Sequence, residues 1–163
     1  KKKMRGSLHQ VKYHEMIGYW MSAREVQRSV EVAVALEHLY RDLDEEFSGW
    51  VLSHWVDEMS HSETERRMAA YHIMQGLASH DWGVKEMCQY PGFVEIVTDR
   101  KTEVNKAGME WRFGVCELLL ERRDLVGEVL SDKEVKDLNV YVKQGVFYAA
   151  GAGPQVQVAE EAS

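Results

Sequence analysis

Proline is scarce in this sequence of 163 residues, occurring only at positions 91 and 154. Because proline interrupts helices, its near absence leaves long stretches free to be helical. No segment shows the sustained alternation of apolar and polar residues, bounded by turn residues, that predicts strands. The sequence therefore predicts an all-α protein, although Val140 to Ala150 also contains residues typical of strands.

Long apolar runs are absent too, and none approaches the roughly 18 residues of a membrane helix, so no membrane partner is predicted. The only two cysteines, Cys88 and Cys116, are too far apart for a metal or disulfide framework. Their apolar neighbours predict buried thiols in a reducing cytoplasm, with the nucleus as a second compartment. The net charge of −7 argues against a nucleic-acid partner.

Catalytic motifs are also missing, since there is no nucleophile elbow, Walker loop or dinucleotide fingerprint. No cofactor is therefore predicted. One polar segment could bind a divalent metal, because His54, Asp57 or Glu58, and His61 would share one face of a helix. However, the serines on both sides of His61 predict that the helix ends near Met59, which favours a solvated polar face. The sequence therefore predicts a protein that is not an enzyme.

Helix starts are marked by three Ser-x-x-Glu capping boxes, at Ser22–Glu25, Ser62–Glu65 and Ser131–Glu134, each before a run of helical apolar period. The predicted helices run from Ser22 to a break at Gly49, from Trp50 to Met59, from Ser62 to Leu77, from a cap at Asp81 to Cys88, from Gly92 to Thr98 with Pro91 in the first turn, from Glu103 to Arg122, as a short turn from Leu125 to Leu130, and from Glu134 to Gln144.

The first two boxes begin 40 residues apart, a spacing typical of armadillo and HEAT repeats, although the third box does not follow that period. The predicted architecture is therefore an armadillo/HEAT-like helical-repeat solenoid. We expect a single domain over residues 1–148 and a flexible tail over residues 149–163, which are rich in glycine, glutamine and glutamate. In this architecture Phe93, Val94 and Val97 would pack into a neighbouring helix pair.

Several polar and aromatic residues have two interpretations. His38 and His72 are expected to be partly buried. The acids at 42, 44, 45 and 46 indicate a solvated helix end, with an acidic docking patch for a basic partner as the alternative. For the five tryptophans, burial between helices is favoured over anchoring of a partner. The four acids are Asp42, Asp44, Glu45 and Glu46. The five tryptophans are Trp20, Trp50, Trp55, Trp82 and Trp111.

The segment from Leu77 to Ser163 resembles the C-terminal region of the 26S proteasome non-ATPase regulatory subunit five family. The matching blocks are Trp82, Pro91-Gly92-Phe93-Val94-Glu95, Thr98-Asp99-Arg100, Glu103, Lys106-Ala107, Glu110-Trp111-Arg112-Phe113, Leu138 through Tyr141, Gly145-Val146-Phe147-Tyr148 and an acidic tail of small residues. Members of that family are longer, so the sequence is interpreted as a C-terminal piece or a shortened relative.

The resemblance implies a helical solenoid without catalytic activity. It also implies an assembly chaperone of the proteasome regulatory particle that binds the C-terminal domain of an ATPase-ring subunit. No family motif transfers individual contact residues, so the partner-binding residues are unknown at this stage. The alternative is a helical-repeat interaction module of another large assembly.

Overall fold

The computed structural model describes residues 30–148, which form eight α-helices and no β-strand. The all-α prediction is confirmed for this range. The capping box at Ser22, Trp20 and the tail at 149–163 lie outside it. The helices are α1 (Val30–Glu46), α2 (Val51–Glu58), α3 (Thr64–Ala78), α4 (Asp81–Gln89), α5 (Phe93–Thr98), α6 (Lys106–Glu121), α7 (Arg123–Val129) and α8 (Asp132–Gln144).

Helix α3 lies at the centre of the core because apolar residues surround most of its circumference, which is typical of a buried helix. Its most extensive contacts are with α6. The two helices approach closely at Gly114, where a Cβ would lie 2.4 Å from Nε2 of Gln75. The same Nε2 donates a hydrogen bond of 2.7 Å to the carbonyl of Trp111, so a polar contact also fixes the register of this pair.

The last six helices pack in a regular order, since α3 contacts α6, α4 contacts α7 and α5 contacts α8. Each helix thus meets the helix three positions later, as in two stacked units of three helices. The first residues of the two units, Thr64 and Lys106, are 42 residues apart. Whether this arrangement continues as a repeat solenoid stays a prediction.

Helix α1 attaches to this core through aromatic and charged side chains. The ring of Tyr40 lies 6.1 Å from that of Trp55 and 5.2 Å from that of Trp82. Its neighbour Arg41 forms an ion pair of 2.6 Å with Glu86 on α4. The first described helix is therefore held against both α2 and α4.

The segment between α4 and α5 is a joint between packed helices. Gly92 has φ of +77°, a backbone conformation that glycine adopts at little cost, and this turns the chain into α5. Phe93, Val94 and Val97 are then almost completely buried, as predicted from the sequence. No helix within residues 30–148 is long and apolar enough to cross a membrane.

Several predicted helix starts are wrong in detail. Helix α3 begins at Thr64 without a side-chain cap, because its N-cap residue is Glu63 and Ser62 lies one position earlier. Asp81 is the first residue of α4 and does not cap it. Pro91 precedes the N-cap of α5 and so lies outside its first turn. By contrast, the box at Ser131 is confirmed, with both of its reciprocal hydrogen bonds present.

Two other predictions need correction. The helix predicted from Glu103 to Arg122 is shorter, because Asn105 caps α6 by accepting hydrogen bonds from the backbone N–H groups of Ala107 and Gly108. The segment Leu125 to Leu130, predicted to be a short turn, lies in the two-turn helix α7 except for Leu130, which is its C-cap. His38 is exposed on α1 and not partly buried, whereas His72 is half-buried against the ring of Trp111.

Candidate functional site

The candidate metal ligands at 54–61 are separated by the end of α2. The helix ends at Glu58, close to the predicted end at Met59, so His61 lies in the following loop. The buried carboxylate of Glu58 forms an ion pair with the guanidinium of Arg66. Another nitrogen of that guanidinium lies 2.7 Å from Nε2 of His61. Arginine thus occupies the space beside two of the candidate ligands, and no three histidine, cysteine or acidic side chains within residues 30–148 are grouped to hold a metal ion.

A second ion pair, between Arg67 on α3 and Glu103 before α6, is deeply buried. Nε of Arg67 donates to Glu103 at 2.8 Å and a terminal nitrogen donates to the other carboxylate oxygen at 3.2 Å. The backbone N–H of Asn105 donates to the same carboxylate. Burial alone raises the pKa of Glu103, but these hydrogen bonds outweigh it and hold the pKa below its ordinary value. The pair is structural and joins the start of α6 to α3.

Both thiols are inert for the same physical reason. Cys88 and Cys116 are buried and unpaired, as predicted. Burial raises the pKa of Cys88 to about 11 and that of Cys116 to about 12. Since only the thiolate is a good nucleophile, neither cysteine is suited to catalysis near neutral pH.

The turn between α1 and α2 presents exposed aromatic rings beside acidic side chains. The backbone N–H of Gly49 donates to the carbonyl of Asp44 and that of Ser48 donates to the carbonyl of Glu45, the two hydrogen bonds of a Schellman motif. Ser48 takes the left-handed conformation, with φ of +58°, that glycine most often supplies there. A side-chain oxygen of Asp44 then accepts from the N–H of Val51, which fixes the entry into α2.

This turn leaves Trp50 with 68% of its surface exposed and Phe47 with 44%. The prediction that each tryptophan is buried between helices is therefore wrong for Trp50. Trp55 is buried, and Trp82 and Trp111 are partly buried. The exposed residues here form a surface that we call the acidic–aromatic end, consisting of Asp42, Glu45, Glu46, Phe47 and Trp50.

A cavity of about 480 Å³ lies between the α5–α6 loop, α6 and the segment after α8. Arg100 fixes its geometry by donating to the carbonyls of Tyr141 at 2.9 Å and Val146 at 3.1 Å. The guanidinium also lies over the ring of Tyr141, 4.1 Å from the centroid. We call this the cationic cavity; its lining consists of Arg100, Lys101, Met109, Arg112, Val146, Phe147 and Tyr148.

Arg112 is the most deeply buried cation of this cavity, with 2% of its surface exposed. One terminal nitrogen donates to the carbonyl of Asp99 at 2.5 Å and to the hydroxyl of Thr102 at 2.9 Å. Its Nε is buried without a hydrogen-bond partner among the described residues. A buried donor without a partner is costly, so the position of Arg112 is maintained by the hydrogen bonds of its terminal nitrogen.

The sequence predicted the acidic part of the acidic–aromatic end only as an alternative, and it did not predict the cationic cavity. The cluster of acids was visible, and its alternative interpretation as a docking patch was stated, but the exposure of Trp50 depends on the Schellman turn at Ser48. The cavity brings together Lys101, Arg112 and Phe147, which are distant in the sequence. The only early signal was that Arg100, Arg112 and Phe147 occur in the blocks that resemble a known family.

Comparison with known proteins provides the family of the chain. The family model described as proteasome non-ATPase 26S subunit matches residues 36–162, which is well over half of the sequence. The chain belongs to this family. The match begins at Leu36, within α1, and continues through every later helix and the lining of the cationic cavity. No solved structure shows a significant match.

The individual relatives that match the chain have names that are consistent with the proteasome non-ATPase 26S subunit family. The chain is 29% identical over 84 residues to the 26S proteasome non-ATPase regulatory subunit 5 of Homo sapiens, and equally to that of Bos taurus. The aligned segment covers 52% of this chain but only 16% of each relative. The resemblance seen in the sequence is therefore confirmed, while the chain spans a small part of the length of these relatives.

Proposed function

We propose that the chain is a non-catalytic helical-repeat scaffold that acts as an assembly chaperone of the 26S proteasome regulatory particle. In this role it would bind an ATPase-ring subunit, through the C-terminal domain of that subunit. The observation that carries the proposal is the family match over residues 36–162. The names of the relatives, which describe a non-ATPase regulatory subunit of the 26S proteasome, agree with a role without catalysis.

The packing of the helices supports a scaffold. Two consecutive three-helix units that begin 42 residues apart fall within the period of armadillo and HEAT units, which is roughly 40 to 47 residues. Such units stack into an extended surface, and proteins built from them act by binding. The proposal extends this arrangement to a single domain over residues 1–148.

We assign the partner surface to the acidic–aromatic end. Exposed tryptophan is the residue type most often found at the energetic centre of protein interfaces. Trp50 lies beside Glu45 and Glu46, which would attract a basic surface and exclude an acidic one. The expected occupant is therefore a basic patch on the ATPase-ring subunit.

The test measures binding of the purified chain to each ATPase-ring subunit separately by biolayer interferometry. We expect one subunit to bind, with an affinity that falls as salt increases. Trp50→Ala should weaken binding by about 2 kcal/mol or more, which is roughly thirtyfold. The matched control is Val104→Ala, which truncates an apolar residue with 82% exposure elsewhere on the surface and should have no effect.

Two negative results have different meanings. If no ATPase-ring subunit binds, the proposed function is wrong and the interaction module of another assembly becomes the better hypothesis. If one subunit binds but Trp50→Ala and Val104→Ala behave alike, the function stands and the assignment of the surface is wrong.

A further inference from the structure

The cationic cavity concentrates positive charge in a chain whose net charge is −7. Arg100, Lys101 and Arg112 line it, and Lys106 lies at its edge with the ammonium group 5.6 Å from the ring centroid of Phe147. Within residues 30–148, none of these four cations forms an ion pair with a carboxylate, although six other ion pairs are present there. No carboxylate of the described residues is therefore in direct contact with these four cationic groups.

The rest of the lining is apolar. Met109 and Val146 line the cavity, and the rings of Phe147 and Tyr148 are 57% and 44% exposed. An inorganic anion would leave these apolar groups in water, whereas a peptide with both acidic and apolar side chains would satisfy the two kinds of group together. In the loop that lines the cavity, the carboxylate of Asp99 accepts a hydrogen bond from the backbone N–H of Lys101. This loop therefore already binds one carboxylate.

We propose that the cationic cavity binds a segment of a partner protein in which acidic side chains alternate with apolar ones. The cations come from the α5–α6 loop and from α6, and a set of several cations favours several carboxylates over a single terminal one. Lys101 is exposed and Arg100 is partly exposed, so both can reach a carboxylate on a bound peptide, and arginine offers the planar donor pair that matches it. This inference does not depend on the proposed ATPase partner, because it concerns another surface and the opposite charge.

The probe is a fluorescein-labelled, amidated hexapeptide of sequence Glu-Leu-Glu-Phe-Glu-Leu, and its control replaces each glutamate by glutamine. Both are titrated with the full purified chain by fluorescence anisotropy. We expect the acidic peptide to bind at least tenfold more tightly than the neutral one and to lose affinity as salt increases. Equal binding of the two peptides would overturn the proposal, since it would show an apolar groove without selection for carboxylates.

Charge-reversal variants locate the site. Lys101→Glu changes an exposed residue of the lining and should weaken binding of the acidic peptide at least tenfold. Lys85→Glu changes the net charge equally on the exposed face of α4 and should leave binding unchanged. Equal effects of the two variants would refute the assignment. Thermal unfolding of both confirms that they fold, and neither side chain is buried.

A competition experiment distinguishes an external partner from the chain's own C-terminal segment as the occupant of the cavity. An unlabelled peptide of residues 149–163 is added to the preformed complex of the chain and the acidic probe. No displacement at a hundredfold excess supports an external partner. Displacement would overturn the proposal in favour of the chain's own C-terminal segment as the occupant, because that segment carries Glu160 and Glu161 among apolar residues.

Discussion

Replacing Glu103 by glutamine removes one charge from the buried ion pair with Arg67 while preserving the shape of the side chain. Removing one partner of such a pair costs about 3–5 kcal/mol, because the other charge stays buried without compensation. Arg67 would keep its hydrogen bonds to the carbonyls of His61 and Ser62, at 2.8 and 3.0 Å. The amide oxygen of the glutamine could also still accept a hydrogen bond. We therefore expect the lower end, about 3 kcal/mol.

The assay is urea unfolding followed by circular dichroism at pH 7. The control is Asp137→Asn, which breaks the exposed ion pair between Lys133 and Asp137 on α8 and should cost less than about 0.5 kcal/mol. If Glu103→Gln costs less than about 1 kcal/mol while the control behaves as expected, the pair does not hold α6 against α3 and the argument from burial is wrong.

The pH dependence gives a second check on the same pair. The pKa of Glu103 in the folded protein lies below its ordinary value, so its contribution to stability is complete above the unfolded pKa of about 4.3. That contribution is lost as the pH falls through the folded pKa. The difference in unfolding free energy between the wild type and Glu103→Gln should therefore be constant from pH 8 to about pH 5 and shrink below it. A constant difference down to pH 2 would contradict this assignment.

Three further outcomes follow from the packing and the turns. Phe93→Ala should lower the free energy of unfolding by about 3–5 kcal/mol, because the ring is 1% exposed, and unchanged thermal stability would disprove its packing role. Ser48→Gly should raise stability by about 0.5–1 kcal/mol, because it relieves a left-handed non-glycine residue; a loss in urea unfolding would contradict the Schellman geometry. Cys88 and Cys116 should resist a thiol reagent at pH 8 until urea unfolds the chain, and rapid labelling of the native protein would show that burial does not control their pKa.

The helices themselves could be predicted because their signals are local. The apolar period of α3, the near absence of proline and the capping box at Ser131 each act within a few residues of one another, and each prediction of a helix was confirmed in the described range. The first residues of the helices were less predictable than the helices themselves. Asp81 and Ser62 have the right side chains for caps. However, Ser62 lies in a loop where the guanidinium of Arg67 donates hydrogen bonds to the carbonyls of His61 and Ser62, and the capping pattern carries no information about these bonds.

The surfaces could not be predicted because exposure depends on what the rest of the chain covers. Trp55 and Trp50 are five residues apart and look alike in the sequence, yet Trp55 is 5% exposed and Trp50 is 68% exposed. The difference arises because Trp50 precedes the first residue of α2, where the backbone has just reversed direction. A helical period assigns faces only to residues within a helix, and so it carries no information about this position.

The burial of Glu103, like the exposure of Trp50, could not be predicted from the sequence. The sequence predicts Glu103 as the first residue of the helix that ends at Arg122. In the fold it precedes that helix and is completely buried, since Arg67, 36 residues earlier, supplies the compensating charge. The burial of Glu103 is therefore set by a residue distant in the sequence, and the variant Glu103→Gln tests that dependence directly.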